Sequence, residues 1–165
     1  MSKPATSRKP KATATARPKA KEVLVGENRK ARHEYEILER VEAGLVLRGT
    51  EVKVLRQGQI SLNEAYCGFQ GDELWLIGAT IPEYSHGNLQ NHVPKRKRKC
   101  LLHRHELKKL KEKAQVKGLT LVPLRVYFGE KGFAKVTIGI GRGRKTQDKR
   151  QHLKEKDAKR EMRQA

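Results

Sequence analysis

The sequence predicts a mainly β chain, with about six short antiparallel strands and two or more inserted helices. The strands either close into a small barrel or stay open as an α+β sandwich. Three observations carry this reading. Two pairs of apolar runs flank glycine turns, Gln70-Gly71-Asp72 and Gly129-Glu130-Lys131-Gly132, which is the signal of hairpins. "HEYEILER" alternates Tyr35 and Ile37 against charged neighbours, the period of a half-buried strand. Outside three basic blocks the chain is nearly neutral, 11 Lys/Arg against 12 Asp/Glu, so one packable core remains. A chain of 165 residues suits one domain, and closing a short-stranded sheet would remove its exposed edges.

Along the chain, residues 1–23 are Lys, Ala, Thr and Pro with almost nothing to bury, and are expected to be a disordered basic arm. "EAGLVL" continues the sheet after a bulge at Gly44. "GTEVKVLRQG" reads as a short helix N-capped by Thr50, burying Val52 or Val54 and Leu55, and stopped by Gly58. "AYCGFQGDELWLIGATI" is the first hairpin, and "PEYSHGNLQNHVP" is an aperiodic loop. "LHRHELKKLKEKAQVKG" places Leu107, Leu110 and Ala114 at helical spacing, with Gly118 past the end. "LTLVPLRVYF" and "FAKVTIGI" form the second hairpin, with Pro123 at an edge or bulge. The domain so read spans 24–141. Residues 142–165 form a basic tail whose hinge would be Gly141 and Gly143.

The net charge of +20 destabilises a compact state by self-repulsion and calls for a polyanionic partner, nucleic acid or an anionic membrane surface. No apolar run approaches the roughly 18 residues of a membrane span. The N-terminus has no apolar signal region; its acid-free composition resembles a transit peptide but reads as a plain basic arm. The charge is +7 in residues 1–21, +8 in 93–113 and +6 in 142–165, so more than one contact surface, or one long one, is expected. Lys95, Arg96, Lys97, Arg98 and Lys99 are five successive cations followed by Leu101 and Leu102. They read as a phosphate-binding strip anchored to the barrel, against the alternative of a solvated loop.

Catalytic chemistry finds no support. "GIGRGRKT" has Arg144 where a phosphate loop needs glycine before its Lys-Thr pair. The six histidines show no metal spacing; His103 and His105, two apart, would point to different faces of a helix. Cys67 and Cys100 form no framework and point to a reducing cytosol without a disulfide. Ser61, Ser85 and Cys67 lack a nucleophile's context, and no carboxylate pair emerges. The chain reads as a binder, with no metal and no cofactor.

Several long motifs carry a resemblance. "NRKARHEYEILERVEAGLVLRGTEVKVLRQGQISLNEAY", "YSHGNLQNHVPKRKRKCLLHRHEL", "KGLTLVPLRVYF" and "KVTIGIGRGRKTQDKRQHLKEKDAKRE" resemble, in this order, the bacterial SsrA-binding protein (small protein B) family. The resemblance covers about residues 24–165. It implies an oligonucleotide-binding-type antiparallel β-barrel with flanking short helices. It also implies that the chain binds transfer-messenger RNA and brings it to stalled 70S ribosomes for trans-translation, as a cytoplasmic monomer.

Two surfaces follow from the resemblance. The tRNA-like domain of the RNA would be gripped through Glu42, Leu101 and Lys135, with His33 of "RKARHEY" assigned to the same face. Lys135 would meet phosphate, Leu101 a sugar or base, and Glu42 base amino groups or ribose hydroxyls; core burial is the alternative for Leu101. The tail would be disordered when free and helical in the empty messenger channel, near the 16S rRNA decoding region, through Arg142, Arg144, Lys145, Gln147, Asp148, Lys149 and Arg150. No Gly or Pro interrupts residues 145–163, and Glu155 with Lys159 is a favourable i,i+4 pair. Two residues depart from the family pattern. Gln147 stands where relatives often carry an aromatic residue or His, and Cys100 where Leu is usual.

Overall fold

The computed structural model of the chain describes residues 22–164. The elements are β1 (Val23–Glu27), α1 (Arg29–Glu34), β2 (Tyr35–Leu45), α2 (Gly49–Arg56), β3 (Tyr66–Gln70), β4 (Glu73–Ile77), β5 (Arg98–Leu101), α3 (Arg104–Ala114), β6 (Leu119–Phe128), β7 (Ala134–Gly143) and α4 (Thr146–Gln164). The expected disordered arm lies outside the described residues up to residue 21; β1 already begins at Val23, the last residue assigned to the arm.

The strands close on themselves. β6, β3, β4, β5, β2 and β7 are successive antiparallel neighbours, and β7 pairs back onto β6. β1 lies along the last residues of β6, with Val23 opposite Phe128. β3 joins β6 further back, with Cys67 opposite Leu121. The closed ring is the barrel, and the open sandwich is not seen. Its interior holds Leu74, Leu76, Val126, Val136 and Ile138, all fully buried. Both hairpins form at the glycine turns. The pairing of β6 with β7 shifts between Pro123 and Arg125, so Pro123 does sit at a bulge.

Several local expectations are corrected. "HEYEILER" and "EAGLVL" are one strand, β2, whose irregularity falls between Ile37 and Glu39 and not at Gly44. α1 and β1 had no counterpart in the sequence reading. α1 is held by Asn28, whose side chain accepts from the Ala31 N–H at 3.0 Å and donates to the Pro123 carbonyl at 3.1 Å. Its Ala31 packs with Val122 and Leu124 in a small second cluster on β6. Thr50 lies inside α2; the capping acceptor is the Glu51 carboxylate, which takes the Arg48 N–H at 2.8 Å. Val54 and Leu55 are the buried residues there. In α3 Leu110 is buried, but Ala114 is exposed.

Gly141 and Gly143 are not a hinge. Both lie in β7, opposite Ile37 and Tyr35 of β2, and the strand is continued by a bond from the Arg144 N–H to the Glu34 carbonyl at 2.8 Å. The glycine at 141 serves close approach: a Cβ there would stand 3.1 Å from Tyr35 Cβ and 3.2 Å from Ile37 Cδ1. β7 therefore runs past the expected boundary at 141, and the chain leaves the barrel only at Lys145. Beyond it α4 is a helix of 19 residues, about 28 Å long, on the residues expected to become helical on the ribosome. Leu153 and Met162 on it are exposed.

Candidate nucleic-acid interface

β2 sits between β5 and β7, and this places the first candidate site. Gly44 of β2 faces Leu101 on one side and Lys135 on the other. Having no side chain, Gly44 leaves a floor between them, where a Cβ would lie 3.4 Å from Leu101 Cβ. Glu42, two residues along the same strand, is on the same face. The result is a cleft of about 430 Å³ lined by Glu42, Gly44, Leu101, His103, Glu106 and Lys135. The structure thus brings Glu42, Leu101 and Lys135 together from three strands. Leu101 is 52% exposed, so core burial does not account for it. On the far side of β7, Tyr127 of β6 stands opposite Lys135; burial, and after it the neighbouring Glu42 carboxylate, pushes its phenol well above the ordinary range. An acceptor, a donor and an apolar surface within one shallow cleft fit a nucleotide's amino or hydroxyl groups, phosphate and base or sugar face. Gly44, the floor of this cleft, was read from sequence only as a bulge.

The basic run divides by strand alternation. Lys99 and Leu101 face outward on β5, while Arg98 and Cys100 face the interior, both essentially unexposed. Arg98 is therefore no phosphate ligand. Its Nε donates to Glu51 Oε1 at 3.0 Å, Nη1 to the Ala79 carbonyl at 2.7 Å and Nη2 to the Pro94 carbonyl at 2.9 Å. Arg96 is likewise engaged, donating to both oxygens of Glu51 at 3.2 and 2.7 Å. A guanidinium stripped of water needs such partners, and the fully buried Glu51 provides the charge. Burial pushes the Glu51 carboxyl up, but the Arg96 and Arg48 hydrogen bonds and the charges of Arg98 and Arg96 outweigh it and hold it below the ordinary 4.5. Only Lys95, Lys97 and Lys99 of the five face solvent. Lys95 lies 3.6 Å from Glu64 and Lys99 2.7 Å from Glu73, ion pairs that water screens.

His33 does not join this cleft. It lies in the last turn of α1, two residues before β2 begins at Tyr35, and Glu42 is seven strand positions further on, on the order of 20 Å along β2. There α4 comes back against α1, and Glu27, Arg29, Arg32, His33, His152 and Lys156 line a separate cleft of about 310 Å³. Of the tail residues, Arg142 is in β7 and Arg144 is tied to Glu34, whereas Lys149 and Arg150 are on α4. Gln147 and Asp148 belong to the first turn of that helix.

His92, His103 and His105 make contacts within the fold. His92 is buried between Thr50 Oγ1 and the Ile81 carbonyl, each at 2.9 Å. His103 and His105 do not diverge: His103 precedes α3 in extended conformation, and the two rings stack at 5.7 Å. Among the described residues no group of three or more His, Cys, Asp or Glu side chains could hold a metal ion, and no helix is long and apolar enough to cross a membrane.

Comparison with known proteins gives a consistent result. The family profile described as "SmpB protein" matches residues 25–165. The SsrA-binding protein of Mesorhizobium japonicum is 50% identical over 137 residues, covering 83% of this chain and 86% of that protein. The SsrA-binding protein of Streptomyces coelicolor is 54% identical over 138 residues, covering 84% and 86%. A solved structure described as "tmRNA-SmpB: a journey to the center of the bacterial ribosome" superposes with a TM-score of 0.63 at 52% identity, covering 73% of this chain and 84% of that one.

Proposed function

This chain belongs to the SmpB family, and on that premise we propose that it is an RNA-binding adaptor which binds the tRNA-like domain of transfer-messenger RNA and delivers it to stalled ribosomes for trans-translation. It acts in the cytoplasm as a monomer, by binding and not by catalysis. The observation that carries the RNA grip is the convergence of Glu42, Leu101 and Lys135 about Gly44. Lys95, Lys97 and Lys99, outward on or beside β5, extend that face with positive charge toward the phosphate backbone.

The barrel carries the RNA, and the chain beyond Lys145 reaches the ribosome. α4 is too polar to be held by burial on this domain, so a polyanionic channel is its natural surroundings. The cleft that His33 shares with His152 and Lys156 of α4 supports a role beside the tail and not in the RNA grip.

Lys135→Ala removes the phosphate contact and Glu42→Ala the polar one. Each weakens binding to a transcript of the tRNA-like domain by about 1–3 kcal/mol, the worth of a hydrogen bond to a charged group. Both side chains are on the surface, so circular dichroism should stay unchanged. Wild-type affinity in both folded variants would remove this face from the account.

A further inference from the structure

Resting on that reading, we infer that Phe133 is a stacking platform for a second, unstacked base of the bound RNA. Phe133 is 69% exposed at the tip of the β6–β7 hairpin. A lone exposed phenylalanine needs no explanation, but this one borders the RNA face. It precedes Lys135 by two positions and so points to the same side. Glu42, Tyr127, Lys131, Phe133 and Lys135 help to line a cleft of about 560 Å³ next to the one that holds Leu101, and Glu42 with Lys135 forms the wall between the two.

Exposed apolar side chains therefore flank the Glu42–Lys135 wall on both sides. Leu101 and Phe133 are two strand spacings and two residues apart, on the order of 12 Å. One base cannot touch both, so Phe133 addresses a different nucleotide. The chemistry of its cleft selects the base over the phosphate. Glu42 and Glu130 oppose Lys131 and Lys135 there and Glu22 is paired with Arg125 at 3.1 Å, a balance that leaves no net positive charge to draw a further phosphate and offers acceptors to amino groups and ribose hydroxyls. The platform is also held in place. The Gly129 N–H donates to the Phe133 carbonyl at 3.0 Å and the Gly132 N–H to the Gly129 carbonyl at 2.9 Å, with Gly132 at φ +78°. A ring carried on a fixed turn has only its own two side-chain torsions to lose when a base settles on it.

The test uses the full chain and a transcript of the tRNA-like domain, titrated at several salt concentrations. Phe133→Ala should weaken binding by about ten-fold, as loss of one base–aromatic stack does. Phe133→Trp should bind within about two-fold of wild type, because a larger ring still stacks. The slope of log Kd against log salt should be the same in all three proteins, since no phosphate contact changes. Wild-type binding by Phe133→Ala, alongside weakened Lys135→Ala and Glu42→Ala, would overturn the platform and leave the proposed function standing. Wild-type binding by all of these variants would overturn the RNA face itself. Loss in Phe133→Trp equal to that in Phe133→Ala, or a changed salt slope, would also refute stacking.

Discussion

Ending the chain after Arg144 abolishes peptide tagging on stalled ribosomes and leaves affinity for the RNA nearly intact. The cut is placed by the structure. Truncation after Gly141 would remove the pairs of Arg142 and Gly143 with β2 and the bond from Arg144 to Glu34, and would damage the barrel edge. Ending after Arg144 keeps these and removes only the segment that carries α4. Glu42, Leu101 and Lys135 all remain, so the RNA grip persists. Nothing is left to occupy the empty messenger channel. Pro at Lys154 separates two mechanisms. It lies well inside α4 and costs about 3 kcal/mol in a helix interior, yet it is harmless in an unstructured tether. Tagging should fall sharply in this variant. A proline variant that tags at the wild-type rate, beside a truncation that fails, would make the tail a flexible cationic tether and not a working helix.

Glu51→Ala has the largest effect on stability. It leaves Arg98 fully buried and Arg96 largely so, without their shared counter-charge, and removes the acceptor for the Arg48 N–H at the start of α2. Breaking a buried ion pair from one side costs about 3–5 kcal/mol, a large part of the stability of an ordinary domain. Urea denaturation should show an unfolding free energy lowered by that amount, seen as a midpoint at lower urea with an unchanged slope. The same group sets a pH dependence. Its carboxyl titrates below 4.5 in the folded protein and near 4.5 unfolded, so the unfolded chain takes up the proton first as pH falls. The contribution is complete above about pH 5 and is lost progressively as pH drops through the folded value. Glu51→Ala should therefore be markedly less stable than wild type at pH 7, with a smaller gap at pH 3. An unchanged midpoint at pH 7 would mean that water reaches the two guanidinium groups.

The hairpins were legible because their glycine turns and alternating flanks are local signals, and the barrel follows from closing antiparallel strands. β1 and α1 were not legible for a physical reason. "VLVGE" is five residues beside a basic arm, and its pairing with β6 lies about a hundred residues away. α1 has six residues and one buried side chain, and is fixed by the Asn28 contacts to Pro123 and not by its own periodicity. Arg98 shows the limit of composition. Five cations in a row look like one surface, yet period-two alternation turns Arg98 inward with Cys100 and leaves Lys97 and Lys99 outside. That alternation was present in the sequence, but an inward arginine becomes credible only with Glu51, forty-seven residues earlier, as its partner. Gly141 and Gly143 read as flexible because glycine serves both hinges and close contacts; Tyr35 and Ile37 crowd Gly141, and Gly143 is fixed only by its pairing with Tyr35 in β2. Glu42, Leu101 and Lys135 came from family resemblance, not from spacing, and no local pattern would have joined three strands across Gly44.

The most direct measurement on the central claim is the identity of the RNA that travels with the protein. The full chain, captured from its native cells under gentle salt, should carry one RNA species with tRNA-like ends in about equal molar amount, and sequencing should identify it as transfer-messenger RNA. The double variant Glu42→Ala, Lys135→Ala should lose most of it. Ribosomal RNA in stoichiometric amount, without a transfer-messenger species and indifferent to those two residues, would contradict the account and make the protein a structural component of the ribosome.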